Sequence, residues 1–144
     1  KGWNIVAPGD FAAGSWKAQG WPCYPGKVTY AREFDVAEKA PYYEVALGEW
    51  KGTVCEVLVN GRSAGIVYAE PYTVDVTEWI AAGRNRVEVK VVGSNYNLMG
   101  PLHAAHFKRI TPAFWRGVKE YPSGKDYVQQ DYGLMGDFTL AAGR

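Results

Sequence analysis

Fifteen carboxylates, two histidines, two cysteines and four serines are the groups in this 144-residue chain that could do covalent or acid–base chemistry. Their spacing argues against it. Acid–base work needs two groups converging on one reacting atom. Most of the acids instead fall at outward strand positions, as with Glu33, Asp35 and Glu88, where solvation is their ordinary role. His103 and His106 are three apart and would suit a metal on a helix, but they follow Pro101 in a loop and lack a nearby third ligand, so they read as loop histidines. Ser15, Ser63, Ser94 and Ser123 show no Gly-x-Ser-x-Gly elbow. No phosphate-cradling or dinucleotide-binding glycine pattern occurs. Cys23 and Cys55 form no CxxC and allow one pairing with each other, while Cys55, set in an apolar strand pattern, also reads as a small buried hydrophobe. The chain is expected to be non-catalytic by itself.

The second chemistry available is stacking. Six Trp, ten Tyr and five Phe make 15% of the chain aromatic. Rings stack on the apolar C–H faces of pyranoses, and planar polar groups take the hydroxyls. Long loops hold the candidates: Trp16, Trp21 and Tyr24 in the first, Tyr96, Asn97 and His103 in the second, Trp115 and Tyr121 in the third. The competing reading for each loop ring is packing against the body of the domain, since Trp is usually largely buried. Tyr30, Phe34, Trp50, Tyr72 and Trp79 sit within strand and turn patterns and are expected in the core.

The elements that must position these rings are strands. A chain of this length fits one domain and buries about 70% of its unfolded surface. Sixteen basic against fifteen acidic residues leave a net charge of +1, which argues against nucleic acid or an anionic membrane held by basic excess. No apolar run of about 18 residues is present to span a membrane as a helix. Residues 1–27 are rich in Gly, Pro and Trp and read as loop.

Val28 to Val36 then alternates, with Val28, Tyr30, Phe34 and Val36 on one face. Arg32 falls on that apolar face and reads as a stem packed inward with its head on a carboxylate or the rim, or as a ligand-facing Arg. Strands follow at Tyr42 to Trp50 and Thr53 to Val59. Asn60-Gly61 is a hairpin signal because both turn residues need positive φ. Ala64 to Tyr68 returns, Pro71 breaks the run, and Tyr72, Val74 and Val76 alternate again. Thr77 to Gly83 reads as one or two helical turns with Thr77 as N-cap. Asn85 to Val92 puts Val87, Val89 and Val91 inward. Gly93 to about Pro122 is irregular and long enough to be functional. Tyr127 to Gln130 and Phe138 to Ala141 are expected as closing strands. About eight strands, at most short helical turns and no repeat predict an all-β, antiparallel sandwich of jelly-roll type.

The series Trp50-Lys51-Gly52, Val57-Leu58-Val59-Asn60-Gly61, Gly65, Pro71-Tyr72-Thr73-Val74-Asp75-Val76-Thr77, Gly83-x-Asn85 and the Val87/Val89/Val91 strand resembles the galactose-binding-domain-like β-sandwich of glycoside hydrolase family 2 and rhamnosidase-like enzymes. Asn97-Leu98-Met99-Gly100-Pro101-Leu102-His103 and Tyr132-Gly133-Leu134-Met135-Gly136 resemble its closing half. The likeness covers residues 15–141 and rests on scaffold residues, so it speaks more to fold than to function.

The resemblance implies two uses for the sandwich. One is a carbohydrate-binding module that binds plant or host polysaccharide and targets an attached catalytic domain. The other is a structural accessory domain with no sugar affinity of its own. It implies a chain excised from a larger glycoside hydrolase, in keeping with a start at Lys1 without Met and without a secretory apolar region. It also implies an extracellular or periplasmic setting, since polymeric glycans are met outside the cytoplasm. No cofactor is required. A structural Ca²⁺ is a further implication, with Asp10 and Asp137 as acids that could approach across the sandwich edge. The Asn-Glu dipeptide of family 2 catalytic barrels is absent, and a barrel of about 250 residues has no room here. An immunoglobulin-type recognition sandwich fits less well, because its Cys…Trp…Cys spacing is missing.

Overall fold

A computed structural model describes residues 9–103, 111–117, 119–120 and 123–143. In chain order the strands are β1 (Lys27–Val36), β2 (Tyr42–Leu47), β3 (Trp50–Lys51), β4 (Val54–Val59), β5 (Arg62–Val67), β6 (Thr73–Asp75), β7 (Gly83–Val92), β8 (Gly133–Leu134) and β9 (Phe138–Gly143). Every pairing is antiparallel: β1-β7-β4-β5 form one sheet, β6-β2-β9 a second, and β3-β8 a short ribbon. Helical pieces among the described residues are short: 3-10 turns at Asn97–Leu102 and Gly124–Asp126, and a helix α1 at Pro112–Gly117. The expected all-β antiparallel sandwich is the fold observed.

Period-2 alternation sets the core. Cys55, Val57 and Val59 of β4 and Val87, Val89 and Val91 of β7 are fully buried on the inner face of the larger sheet. Tyr43, Val45 and Leu47 of β2 face them from the smaller one. Burying a Val side chain contributes roughly 1.5–3 kcal/mol, so these stripes supply most of the drive to close the sandwich. Cys55 is a free thiol among them, and burial pushes it up to about 12; Cys23 is a free, exposed thiol in the first loop. The sequence left a Cys23–Cys55 pairing open, and the fold does not make it.

Turns follow their chemistry. Asn60 and Gly61 both have positive φ, 51° and 79°, so the β4–β5 hairpin is of the tight kind whose twist matches its strands. Asn60 then reaches across to β7, donating from Nδ2 to Asn85 Oδ1 at 2.9 Å and accepting from Arg86 N at 2.9 Å. Asn85 is fully buried and satisfied: it accepts from Ala81 N and donates to the carbonyls of Ala81 and Gly83.

Two expectations are revised for local reasons. Thr77 to Gly83 holds a single turn closed on Val76 O, and Thr77 is not its N-cap. Trp79 N and Ile80 N both donate to Val76 O, and Asp75 Oδ1 accepts from Thr77 N at 2.9 Å. The Thr77 hydroxyl faces sideways and accepts from Tyr43 N of β2. The stretch Tyr127 to Gln130 forms a single bridge rather than a strand, with Val128 N donating to His103 O at 2.9 Å.

Arg32 of β1 places its head on a carboxylate at the rim. Its guanidinium donates to Asp137 Oδ2 at 2.5 Å and Phe138 O at 3.1 Å while lying over the rings of Phe34 and Phe138. It closes the sandwich edge between β1 and β9.

Candidate functional site

The first aromatic loop is sewn onto the sandwich. Gly14 N donates to Leu134 O at 2.7 Å and Trp16 N to Tyr132 O at 2.8 Å. Gly133 permits this close approach, since a Cβ there would lie 2.3 Å from Gly14 O. The rings of the loop then face each other. Trp16 meets Phe11 and Tyr24 edge to face, at 5.9 and 5.6 Å between centroids, and its Nε1 donates to Tyr30 OH at 2.7 Å. It is 1% exposed, so it has no face open to a sugar and acts as a core residue. Trp21 and Tyr24 are half-buried, 6.0 Å apart and T-shaped, and with Pro22 and Pro25 they line a shallow apolar pocket of about 350 Å³.

The second loop is likewise engaged internally. Asn97 is 2% exposed and grips the backbone of Gln130, donating from Nδ2 to its carbonyl at 2.7 Å and accepting from its N–H at 2.8 Å. In place of the strand expected at Tyr127 to Gln130, Val128 N donates to His103 O at 2.9 Å and the amide clamp holds Gln130. Tyr96 stacks flat on His103, with centroids 3.7 Å apart and planes 10° from parallel. His103 is buried, and burial holds its imidazole below the usual histidine range. Its Nδ1 has no hydrogen-bond partner among the described residues. In the third region, Trp115 is placed on α1, whereas Tyr121 and His106 lie outside the described residues.

Acids are spread thinly. Asp10 and Asp137 line one cleft of about 780 Å³ at the β1 edge, where the sequence placed them as calcium candidates. Asp137 is already engaged there by Arg32 and by Phe138 N. Among the described residues no three His, Cys, Asp or Glu side chains gather as a metal would require.

A second cleft, of about 460 Å³, lies where β3, the chain after β5 and the approach to β8 meet. Trp50 and Tyr72 line it, rather than lying wholly in the core, and meet edge to face at 5.7 Å. Tyr68, which sequence reasoning passed over, also lines it and is 76% exposed. The signal was present: Tyr68 follows buried Val67 out of phase with the inward stripe. Gln130 and Asp131 add polar groups. Asp131 Oδ1 accepts from Ser15 Oγ at 2.6 Å and lies 3.3 Å from Lys17 Nζ; the Ser15 hydrogen bond, then Lys17, holds its carboxyl below the usual range.

No protein-family model matches the chain. It is 29% identical over 105 residues, 62% of its length, to a Formosa agariphila protein with a provisional β-glucuronidase name, and spans 9% of that protein. A rhamnosidase from Novosphingobium sp. PP1Y superposes over 81% of this chain with a TM-score of 0.59 and 25% identity, the match taking up 11% of the enzyme. A family 2 β-galacturonidase from Eisenbergiella tayi superposes over 96% of this chain at TM-score 0.52 and 23% identity, across 22% of that enzyme. The chain thus spans about a tenth of the length of the first two relatives, and its fold is a β-sandwich shared with segments of family 2 and rhamnosidase-like glycoside hydrolases.

Proposed function

We propose that the chain is a non-catalytic, glycan-binding module of a larger glycoside hydrolase, working beside an attached catalytic domain outside the cytoplasm. The observation that carries this reading is the likeness itself: nearly the whole sandwich matches small segments of long sugar-cleaving enzymes. Of the loop rings, Trp21 and Tyr24 keep surface that a pyranose face could meet.

A structural accessory role without sugar affinity is the second reading. It is favoured by the internal use of Trp16, Asn97 and His103, each of which holds the fold together.

The test uses the chain alone. Nitrophenyl α-L-rhamnoside, β-D-glucuronide and β-D-galacturonide should all remain uncleaved. Affinity electrophoresis through xylan, pectins, mannans, β-glucans and arabinogalactan should show retardation by at least one glycan. Hydrolysis would contradict the non-catalytic reading. Unchanged mobility in every gel would leave the structural role in its place.

A further inference from the structure

The Trp50 cleft has features that the first loop lacks: an exposed ring beside polar groups that the fold positions but does not consume. Four separated stretches of chain converge on it, at residues 50–53, 68, 72 and 130–132. The floor is held from beneath. Thr53 N donates to Val92 O at 2.7 Å and Thr53 Oγ1 to Gly93 O at 2.8 Å, seating the β3 segment on the end of β7. Buried Asn97 fixes the Gln130 backbone from both sides. Tyr132 shares a 2.6 Å hydrogen bond with Ser94.

The polar groups above that floor remain open. Asp131 is oriented through Oδ1 by Ser15 and Lys17, and Oδ2 takes no hydrogen bond among the described residues. The Gln130 side chain is exposed, with both amide functions unused there. Beneath them Trp50 carries a buried Nε1 without a partner among the described residues, an unsatisfied donor of a kind that folded proteins rarely leave. Lys51 lines the same cleft and is paired with Glu49 Oε1 at 3.6 Å, as Lys17 is with Asp131.

We propose that this cleft is a subsite for one neutral pyranoside unit, distinct from the Trp21–Tyr24 surface. The ring of Tyr68 covers the apolar C–H face of the sugar. Asp131 Oδ2 accepts from a hydroxyl, as an ionised carboxylate, which only accepts, must. The Gln130 amide serves a neighbouring hydroxyl as donor or acceptor. A uronate is disfavoured, because its carboxylate would sit beside Asp131 without gaining a hydrogen bond from it. The choice of a sugar rests on the glycan-binding reading above; the choice of this cleft and of a neutral unit rests on its own geometry.

The experiment is an NMR titration of the ¹⁵N-labelled chain with methyl β-D-galactopyranoside, methyl α-L-rhamnopyranoside, methyl β-D-xylopyranoside and methyl β-D-glucuronide. One of the three neutral glycosides should shift the amides of Tyr68, Gln130 and Asp131 and the Trp50 indole N–H, binding about tenfold tighter than the glucuronide. Tyr68→Ala should weaken that binding about fivefold with the spectrum otherwise preserved, and Asp131→Asn about tenfold. Shifts confined to Trp21 and Tyr24, or polysaccharide retardation untouched by Tyr68→Ala, would overturn the cleft and leave the module reading standing. Equal or tighter binding of the glucuronide would overturn the neutral class. An absence of both shifts and retardation would overturn the subsite and the glycan-binding reading together.

Discussion

In the first loop, Phe11, Trp16, Trp21 and Tyr24 turn their rings toward one another and onto the sandwich, at centroid distances of 5.5–6.0 Å. In the cleft, Trp50 and Tyr72 also meet edge to face, but Tyr68 makes no ring contact among the described residues and stands beside Gln130 and Asp131. Ring density alone therefore says little about ligand contact. A ring with another ring against it is already solvated by protein. What marks a surface for recognition is a ring without such a partner together with hydrogen-bonding groups held in place and unspent. The two regions are also coupled: Ser15 and Lys17 of the loop hold the carboxylate of the cleft.

The comparison breaks most visibly at Trp16. Trp16→Ala should cost about 3–5 kcal/mol in urea unfolding, since it opens a cavity at a fully buried ring and removes one of the two donors to Tyr30 OH. A loss below about 1 kcal/mol would show the loop to be detachable. Asn97→Ala should cost about 1–3 kcal/mol, because it leaves both backbone groups of Gln130 without their partner. It should also weaken glycoside binding at the cleft, measured in the same titration; stability loss with full binding would show that Gln130 needs no such clamp.

Acid sharpens the coupling between the regions. Asp131 has its carboxyl held below its unfolded range, first by Ser15 and then by Lys17. Its stabilisation is therefore fully present above about pH 4, the unfolded carboxylate value, and is lost as pH falls through the lower folded value. Asp131→Asn should flatten the acid limb of the unfolding midpoint plotted against pH; an unchanged limb would show that the Ser15 contact is not maintained in solution. His103 acts one step higher on the scale. Buried and lowered, it should cost stability as pH falls below about 6.5, where the unfolded imidazole takes up its proton first. His103→Phe, which keeps a ring on Tyr96, should remove that slope. The smallest stability effect belongs to Tyr68→Ala, within about 0.5 kcal/mol, because the side chain is largely in solvent.

Much of the frame was legible in the sequence. The stripes of β1, β2, β4 and β7 declare themselves because a period of two admits one buried set, and Asn60-Gly61 declares the hairpin because few residue pairs tolerate its φ values. What could not be read was the set of partners supplied by distant chain. Asp137 answers Arg32 across 105 positions, and Asn97 reaches Gln130 across 33. At Tyr127 to Gln130 the backbone is met in the same way, by His103 O at Val128 and by Asn97 at Gln130, rather than by a ladder. β3 and β8, two residues each, are too short to show any period.

The candidate site was legible only in part. The loop Trp residues were visible as loop residues, but whether a ring faces solvent depends on tertiary packing, and Trp16 packs inward. Trp50 and Tyr72 were assigned to the scaffold through their motif. They do pack against the core, and they line the cleft as well. Scaffold and surface were not exclusive for these rings, and a linear pattern cannot express both.

The most direct measurement is affinity electrophoresis of the 144-residue chain, run through the polysaccharide panel beside Tyr68→Ala and Trp21→Ala. The account predicts that at least one neutral glycan retards the wild-type chain and that Tyr68→Ala lowers the retardation while the variant unfolds at the wild-type midpoint. Absence of retardation for all three proteins in every gel would contradict it and leave a structural role for the sandwich.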